Sequence, residues 1–470
     1  MSSSTSEPVI GIIGMGDMGR MYARRLKAGG HKTIYVCDKP DRFEELKKEL
    51  AAYTAWFGRA ERLGTGITPL RDGHAVSRLS DFIIYSVESS AIWPVVKEYG
   101  PSTKVGATVA GQTSVKAPEK EAFEAWLPED VDVVSVHSLH GPSVTTEGQP
   151  LIIIHHRGPE SKVRMVEDVF RSFKSRYVYL SYEEHDSVTA NTQAVTHAAF
   201  LSMGTAWHNS NSFPWETTRY VSGIEVVKVN ITLRIYAAKW HVYAGLALLN
   251  PSAKEQVEQY AQSVTALFKL MVEGREADLA ERVWRAREGV FGWKRDEDGG
   301  EGRAPILLSE DVLDQFSLRG TGAGTGTGAG GEEKERAGPN SHLSLLAMVD
   351  CWNALGIRPF EHLDVAGTPV FMLWIGVAEY LFRSKALVSA AIAAAISDRV
   401  HRPDDTEFVV ASRQWSECVS FGNFDLYQRR FERTSSYFAE RFEEANKLGS
   451  RMIKAIQEAQ AANGNAADGR

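Results

Sequence analysis

Cysteine is scarce in this chain: Cys37, Cys351 and Cys418 are the only three among 470 residues. None forms a C-x-x-C pair or stands at a metal-ligand spacing, so no disulfide framework and no metal are expected, and unpaired thiols point to a reducing, cytoplasmic setting. Long apolar runs are missing as well. The two longest, residues 370–378 and 386–396, fall well short of the roughly 20 residues of a membrane span, and no membrane partner is expected. Basic charge is not in excess. Lys and Arg total 53 against 60 Asp and Glu, a formal net charge of −7, and no predicted helix carries a basic stripe, which argues against a nucleic-acid partner. Residues 1–7 are polar and free of arginine, and read as neither signal nor transit peptide. No internal repeat is visible. What is present, 43% apolar and 24% charged residues, is the composition of an ordinary globular enzyme, long enough for two or three domains of roughly 150 residues each.

The strongest local signal is Val9-Ile10-Gly11-Ile12-Ile13-Gly14-Met15-Gly16-Asp17-Met18-Gly19. A short β-branched run reads as a buried strand, and Gly14, Gly16 and Gly19 follow in G-x-G-x-x-G spacing before a helical segment. That order suits a dinucleotide: Gly14 for the tight turn, Gly16 for close approach of a pyrophosphate, Gly19 for helix–strand packing. Met15, Asp17 and Met18 complete the turn. A second predicted strand, residues 31–38, ends in Asp38, nineteen residues past Gly19, where a Rossmann unit places its ribose-binding acid. The acid favours NAD. Lys39 and Arg42 follow at once, however, and cations there suit a 2′-phosphate, so the residues alone leave the cofactor open between NAD and NADP.

Further strands are predicted at 81–88, 103–110, 131–137 and 151–155, with helices between them at 93–99 and 118–126. Alternating strands and helices over residues 1–180 predict a Rossmann-type α/β domain, a doubly wound parallel sheet. Ligands of such sheets sit beyond the carboxyl ends of the strands, which singles out Ser86, Gln112, Ser114 and the segment from His137. Residues 181–317 read as a helical domain, with helices at 184–207, 225–249, 253–273 and 276–291 and a loop at 295–303. Residues 318–340 are glycine-rich and lack the strand and Lys-Ser/Thr of a phosphate loop, so they read as a linker. A helical C-terminal region is expected over 341–457, with helices at 341–355, 369–382, 386–397 and 424–457, and disorder over 458–470.

Oxidation of an alcohol by a nicotinamide needs a base for the hydroxyl proton, and histidine suits it because its ordinary pKa lies near neutrality. His137 ends a predicted strand at the rim where the nicotinamide belongs. His140, three residues on, is a second candidate. Ser114, at the end of another strand, could hydrogen-bond both a substrate hydroxyl and the base. In the helical domain, His185 lies among acids at a helix start and reads as a surface or capping residue. His197, among small apolar residues, is either a core histidine or a site residue. Arg234 is flanked by apolar residues and needs an anionic partner, either a substrate carboxylate or a structural acid.

Gly14–Gly19, Gly111-Gln112-Thr113-Ser114, Val136-His137-Ser138-Leu139-His140-Gly141-Pro142, the segment 192–199 around His197 and the segment 230–236 around Arg234 together resemble the prephenate dehydrogenases, with 339–346 and 420–425 similar to the fungal branch. The resemblance runs from Val9 to about Lys454. It implies a Rossmann domain followed by an all-helical dimerisation domain, hence a homodimer, and oxidative decarboxylation of prephenate to 4-hydroxyphenylpyruvate in tyrosine biosynthesis. It also implies that His137 is the catalytic base supported by Ser114, that Arg234 receives a substrate carboxylate, that His197 and His140 lie in the substrate pocket, and that NADP is the cofactor, with Lys39 and Arg42 serving its 2′-phosphate. Two other readings of the same residues are a β-hydroxyacid dehydrogenase of the 6-phosphogluconate dehydrogenase-like group, with Lys228 or Lys239 as base, and a non-catalytic NADP-binding sensor.

Overall fold

The computed structural model describes residues 7–57, 66–142, 144–216, 223–301, 303–318 and 340–468, of which 53–57, 364, 366 and 461–468 are described by backbone alone. The described chain divides into two compact units, one ending at Thr189 and one beginning at Ala190. The division thus falls later than the expected boundary at 180, because the helix Tyr182–Thr189 is tied to the sheet by the hydrogen bonds described below.

Eight strands form the sheet of the first unit: Ile10–Ile13 (β1), Ile34–Cys37 (β2), Ile67–Pro69 (β3), Phe82–Tyr85 (β4), Thr108–Gly111 (β5), Asp132–Ser138 (β6), Pro150–Arg157 (β7) and Arg176–Tyr179 (β8). Their order is β3-β2-β1-β4-β5-β6-β7-β8. β1 pairs in parallel with β2 on one side and β4 on the other, so the strand order reverses beside β1 and opens a crevice at the carboxyl ends. The sheet is not wholly parallel, which corrects the expectation: β6 and β7 are antiparallel, joined by the short connection after Ser138. The short outer strands β3 and β8 escape the sequence pattern.

Alternation within each strand builds a core on each face of the sheet. Ile10, Ile12, Phe82 and Ile84 join one buried cluster, whereas Ile13, Ile83 and Tyr85 join the other. Burial on both faces is why these strands read as continuous apolar runs. On the first face lies the helix Asp17–Ala28, which buries Met21, Tyr22 and Leu26 and sets Arg20 against Glu49 at 2.7 Å.

The second unit is helical around one core. That core contains Val195, Val227, Val264 and Val283 from before the glycine-rich stretch and Leu345, Trp374, Trp415 and Ile456 from after it. Residues 341–457 are therefore not a separate appendage: Leu343–Ala354 packs on Pro251–Val272 and Glu276–Phe291, and Arg402–Ser420 packs on Pro251–Val272 and Val195–Asn209. Three helical expectations need correction. The 184–207 helix is Tyr182–Thr189 and Val195–Asn209 with π-helical Ala190–Ala194 between them, and the 225–249 helix is Ile224–Tyr236 and His241–Leu249. The closing segment is Phe424–Phe438 and Phe442–Asp468, so the backbone expected to be disordered from 458 is helical to Asp468. Helices Pro359–Ala366 and Arg402–Ser420 were not foreseen. The 318–340 linker falls, save its end residues, outside the described residues. Among the described residues no single helix is long and apolar enough to cross a membrane. Pro369–Arg383 and Lys385–Ser397 are apolar but meet at 90°, with Phe371, Trp374, Val377 and Ile392 buried in the helical core.

Candidate active site

The turn after β1 has the geometry its glycines require. Gly14 adopts φ +102°, its N–H donates to the Cys37 carbonyl at 2.9 Å, and an added Cβ would lie 2.2 Å from the Ser86 carbonyl oxygen. A Cβ at Gly19 would meet the Gly14 oxygen at 2.1 Å, whereas one at Gly16 would meet nothing within 4 Å. The helix therefore seats tightly on the strand while the turn's outer side stays open. Gly16 caps the helix Asp17–Ala28 without a side-chain hydrogen bond, leaving the N-terminal dipole end for an anion. Met15 is buried, Met18 packs against the same core, and Arg20 donates to the Met15 carbonyl. Beyond β2, Asp38 accepts from the Lys39 N–H at 2.9 Å and from Arg42 Nη1 at 3.0 Å. Arg42 also reaches Glu45 at 3.1 Å, and Lys39 is exposed. Gln112 Nε2 donates to Ser86 Oγ, joining the ends of β5 and β4.

At the rim of β6, His137 keeps only 8% of its surface exposed. Its Nδ1 lies 2.8 Å from His185 Nε2, and His185 Nδ1 lies 2.9 Å from Asp186 Oδ1. The same carboxylate accepts the backbone N–H groups of Lys116 at 2.7 Å and Ala117 at 2.8 Å, at the start of the helix Ala117–Trp126. Asp186 thus holds both the His185–His137 pair and the loop that carries half-buried Ser114. Burial, then the neighbouring charges of His185 and Lys116, pushes His137 well below the ordinary histidine range. His185 is lowered by burial and then by Lys116, and burial pushes Asp186 up to about 6. His185 is fully buried, which overturns its reading as a surface or capping residue. No local signal marks it, because its partner is 48 positions away.

Behind this chain lies an ion pair that sequence reasoning missed. Lys116 Nζ and the Glu119 carboxylate are both fully buried, 2.9 Å apart. Nζ also donates to the carbonyls of Gly111 at 3.0 Å and Val136 at 3.1 Å. Glu119 in turn accepts Ser135 Oγ at 2.6 Å and Thr113 Oγ1 at 2.6 Å. One cation and one carboxylate therefore peg the ends of β5 and β6 together, just below Ser114 and His137. His140 stands apart from that network. Its Nδ1 faces the Gly141 carbonyl at 3.0 Å, and burial lowers its pKa.

In the helical unit, His197 lies edge-on to Tyr243, with ring centroids 4.7 Å apart, in a recess also lined by Trp415 and Tyr427. Burial pushes it down to about 3, and its Nδ1 has no hydrogen-bond partner among the described residues. Arg234 is half-buried on Ile224–Tyr236, and among the described residues no acid pairs with it. Lys228 is buried against Glu225 at 2.6 Å. That pairing leaves it poorly placed to act as a free base, contrary to the β-hydroxyacid dehydrogenase reading.

A glycine turn at the head of a switch-point sheet marks a dinucleotide-dependent oxidoreductase, and comparison with known proteins agrees. Residues 9–111 match the family model described as NADP oxidoreductase coenzyme F420-dependent. Residues 194–458, more than half the chain, match a family model described as a 6-phosphogluconate dehydrogenase C-terminal domain. A Schizosaccharomyces pombe protein named "Probable prephenate dehydrogenase, NADP(+)" is 48% identical over 449 residues, 96% of this chain and 97% of that one. The Saccharomyces cerevisiae prephenate dehydrogenase, NADP(+), is 47% identical over 452 residues, 95% of this chain and 94% of its own. The chain belongs to the prephenate dehydrogenase family. A solved prephenate dehydrogenase from Aquifex aeolicus is similar over 59% of this chain and 95% of that one, at 21% identity and a TM-score of 0.44.

Proposed function

We infer that this chain oxidises and decarboxylates prephenate to 4-hydroxyphenylpyruvate with NADP, a step of tyrosine biosynthesis. The observation that carries the reading is near-full-length identity of 47–48% to two fungal proteins named as NADP(+) prephenate dehydrogenases. NADP fits the residues present: the open face at Gly16 and the uncapped helix end suit a pyrophosphate, and the Asp38–Arg42 pair offsets the acid's charge beside a 2′-phosphate. Gly14, Met15, Gly16, Asp17, Met18 and Gly19 would hold the pyrophosphate, Asp38, Lys39 and Arg42 the adenosine ribose and its phosphate, and Ser86 and Gln112 the inner half. When bound, NADP supplies the hydride acceptor.

His137 takes the proton of the prephenate ring hydroxyl, with Ser114 hydrogen-bonded to the same oxygen, as the carbon–oxygen double bond forms. Loss of the ring carboxylate as carbon dioxide returns its bonding electrons to the ring, and the proton on His137 returns to the phenolate oxygen. Arg234 receives a substrate carboxylate through a charge-assisted contact, and His197 and His140 line the pocket. Aromatisation drives the step forward, so the protein supplies mainly orientation and proton transfer. The enzyme acts as a homodimer through its helical unit, in keeping with the family resemblance, and its three free, buried thiols suit the cytoplasm. The test is His137→Asn: turnover should fall roughly 10²–10⁴-fold while NADP affinity, read by fluorescence titration, stays within about threefold. Near-parental turnover would remove His137 as the base.

A further inference from the structure

The hydrogen-bond chain behind His137 has a direction. Asp186 accepts two backbone N–H groups, and an ionised carboxylate can only accept. His185 Nδ1, 2.9 Å from that carboxylate, must therefore be the donor. A neutral imidazole carries one N–H, so His185 Nε2 is a bare acceptor. His137 Nδ1, 2.8 Å away, must then be the proton-bearing nitrogen of its own ring. His137 Nε2 is left with its lone pair, and among the described residues it has no hydrogen-bond partner.

We propose that His185 and Asp186 are positioning residues that lock His137 in the tautomer whose Nε2 is bare, so that Nε2 is the atom that takes the hydroxyl proton. The inference rests on the reading of His137 as the base. In the step itself the substrate O–H bond breaks and an N–H bond forms at Nε2. The resulting imidazolium keeps its Nδ1–H on His185, whose own Nδ1–H stays on the Asp186 carboxylate, so the new positive charge meets a line of dipoles ending in an anion. Because Asp186 also holds the N–H groups of Lys116 and Ala117, the same carboxylate fixes the position of the Ser114 loop relative to the base. His140 lacks any such chain, since its Nδ1 is engaged by its own loop at Gly141.

Three measurements test this on the full-length protein. Nitrogen-15 spectra of histidine-labelled protein, with the His137 signals assigned by subtraction of His137→Asn, should show Nδ1 protonated and Nε2 bare at pH 7.5. A protonated Nε2 would overturn the proposal without any further variant. His185→Leu removes the acceptor and should cut kcat by about 10²-fold, within the range a general base supplies, with KM for prephenate and NADP changed less than about threefold. His185→Gln, whose amide oxygen can still accept from His137 Nδ1, should restore most of that loss. Asp186→Asn should shift His137 toward the opposite tautomer and lower kcat in parallel. A kcat within about threefold of the parent in His185→Leu, or no recovery in His185→Gln, would overturn the lock. The two failures separate cleanly: an active His137→Asn removes the base itself, whereas an inactive His137→Asn beside an active His185→Leu removes only the positioning chain.

Discussion

Replacing Glu119 by Gln isolates the buried ion pair that pegs β5 to β6. The substitution leaves the hydrogen bonds from Ser135 and Thr113 within reach of an amide oxygen, but it strips the charge from the carboxylate paired with fully buried Lys116. Breaking a buried pair from one side typically costs about 3–5 kcal/mol. An independent bound agrees. Desolvation already lowers Lys116 below its ordinary value, opposed by Glu119. If the lysine simply gave up its proton at pH 7, the cost relative to an unfolded-state pKa of about 10.4 would be about 4–5 kcal/mol. Urea denaturation followed by tryptophan fluorescence would measure it. The sign of the pH dependence adds a second check. A lysine depressed in the folded state is destabilising wherever the unfolded chain still holds the proton. Stability of Glu119→Gln should therefore climb as pH rises from 7 to 10, by up to about 1.4 kcal/mol per unit and more steeply than in the parent. Adding Lys116→Met should recover at least about 1 kcal/mol, because the unpaired charge is gone. A loss under about 1 kcal/mol in the single variant, with no added pH slope, would refute the view that this pair anchors the strand ends.

Other expectations follow from the same geometry. Arg42→Ala should raise KM for NADP about 10–100-fold, the equivalent of a hydrogen bond to a charged group at about 1.5–3 kcal/mol, while leaving KM for NAD nearly unchanged; equal effects on both would remove Arg42 from the 2′-phosphate site. Arg234→Ala should raise KM for prephenate by a similar factor with a smaller change in kcat, and an unaltered KM would remove it from carboxylate binding. His197 sits near 3 in the folded state against about 6.5 unfolded, so its stabilising contribution is complete above pH 6.5 and is lost as pH falls toward 3. At pH 5.5 that loss is about 1.4 kcal/mol, and urea midpoints of His197→Gln should fall less on acidification than those of the parent by that amount.

Much of the first unit was legible because its central strands are buried on both faces. Val9 to Ile13, Phe82 to Tyr85 and Val131 to Val136 announce themselves as β-branched or aromatic runs, and the glycines after the first run fix the ligand end of the sheet. β3 and β8 were not legible, since Thr68, Arg176 and Tyr179 face outward and leave too few apolar positions to alternate. In the helical unit, the break after Tyr236 carries neither glycine nor proline. The helix Arg402–Ser420 did have signals, namely Pro403 in its first turn, Asp404 and Asp405 behind it, and Phe408, Ala411, Trp415 and Cys418 at helical spacing. His137 and Ser114 stand out by position at strand ends. His185, Asp186, Lys116 and Glu119 do not, because what defines them is contact across distant segments, and one-dimensional spacing carries no trace of it.

The most direct measurement is a single assay: purified full-length protein, prephenate and NADP, with absorbance at the nicotinamide band and product analysis on the same sample. NADPH and 4-hydroxyphenylpyruvate should appear in equal amounts, with carbon dioxide released one for one, and neither should form at a comparable rate with His137→Asn. Absence of NADPH with fully active substrate, or NADPH formed without 4-hydroxyphenylpyruvate, would contradict the assignment.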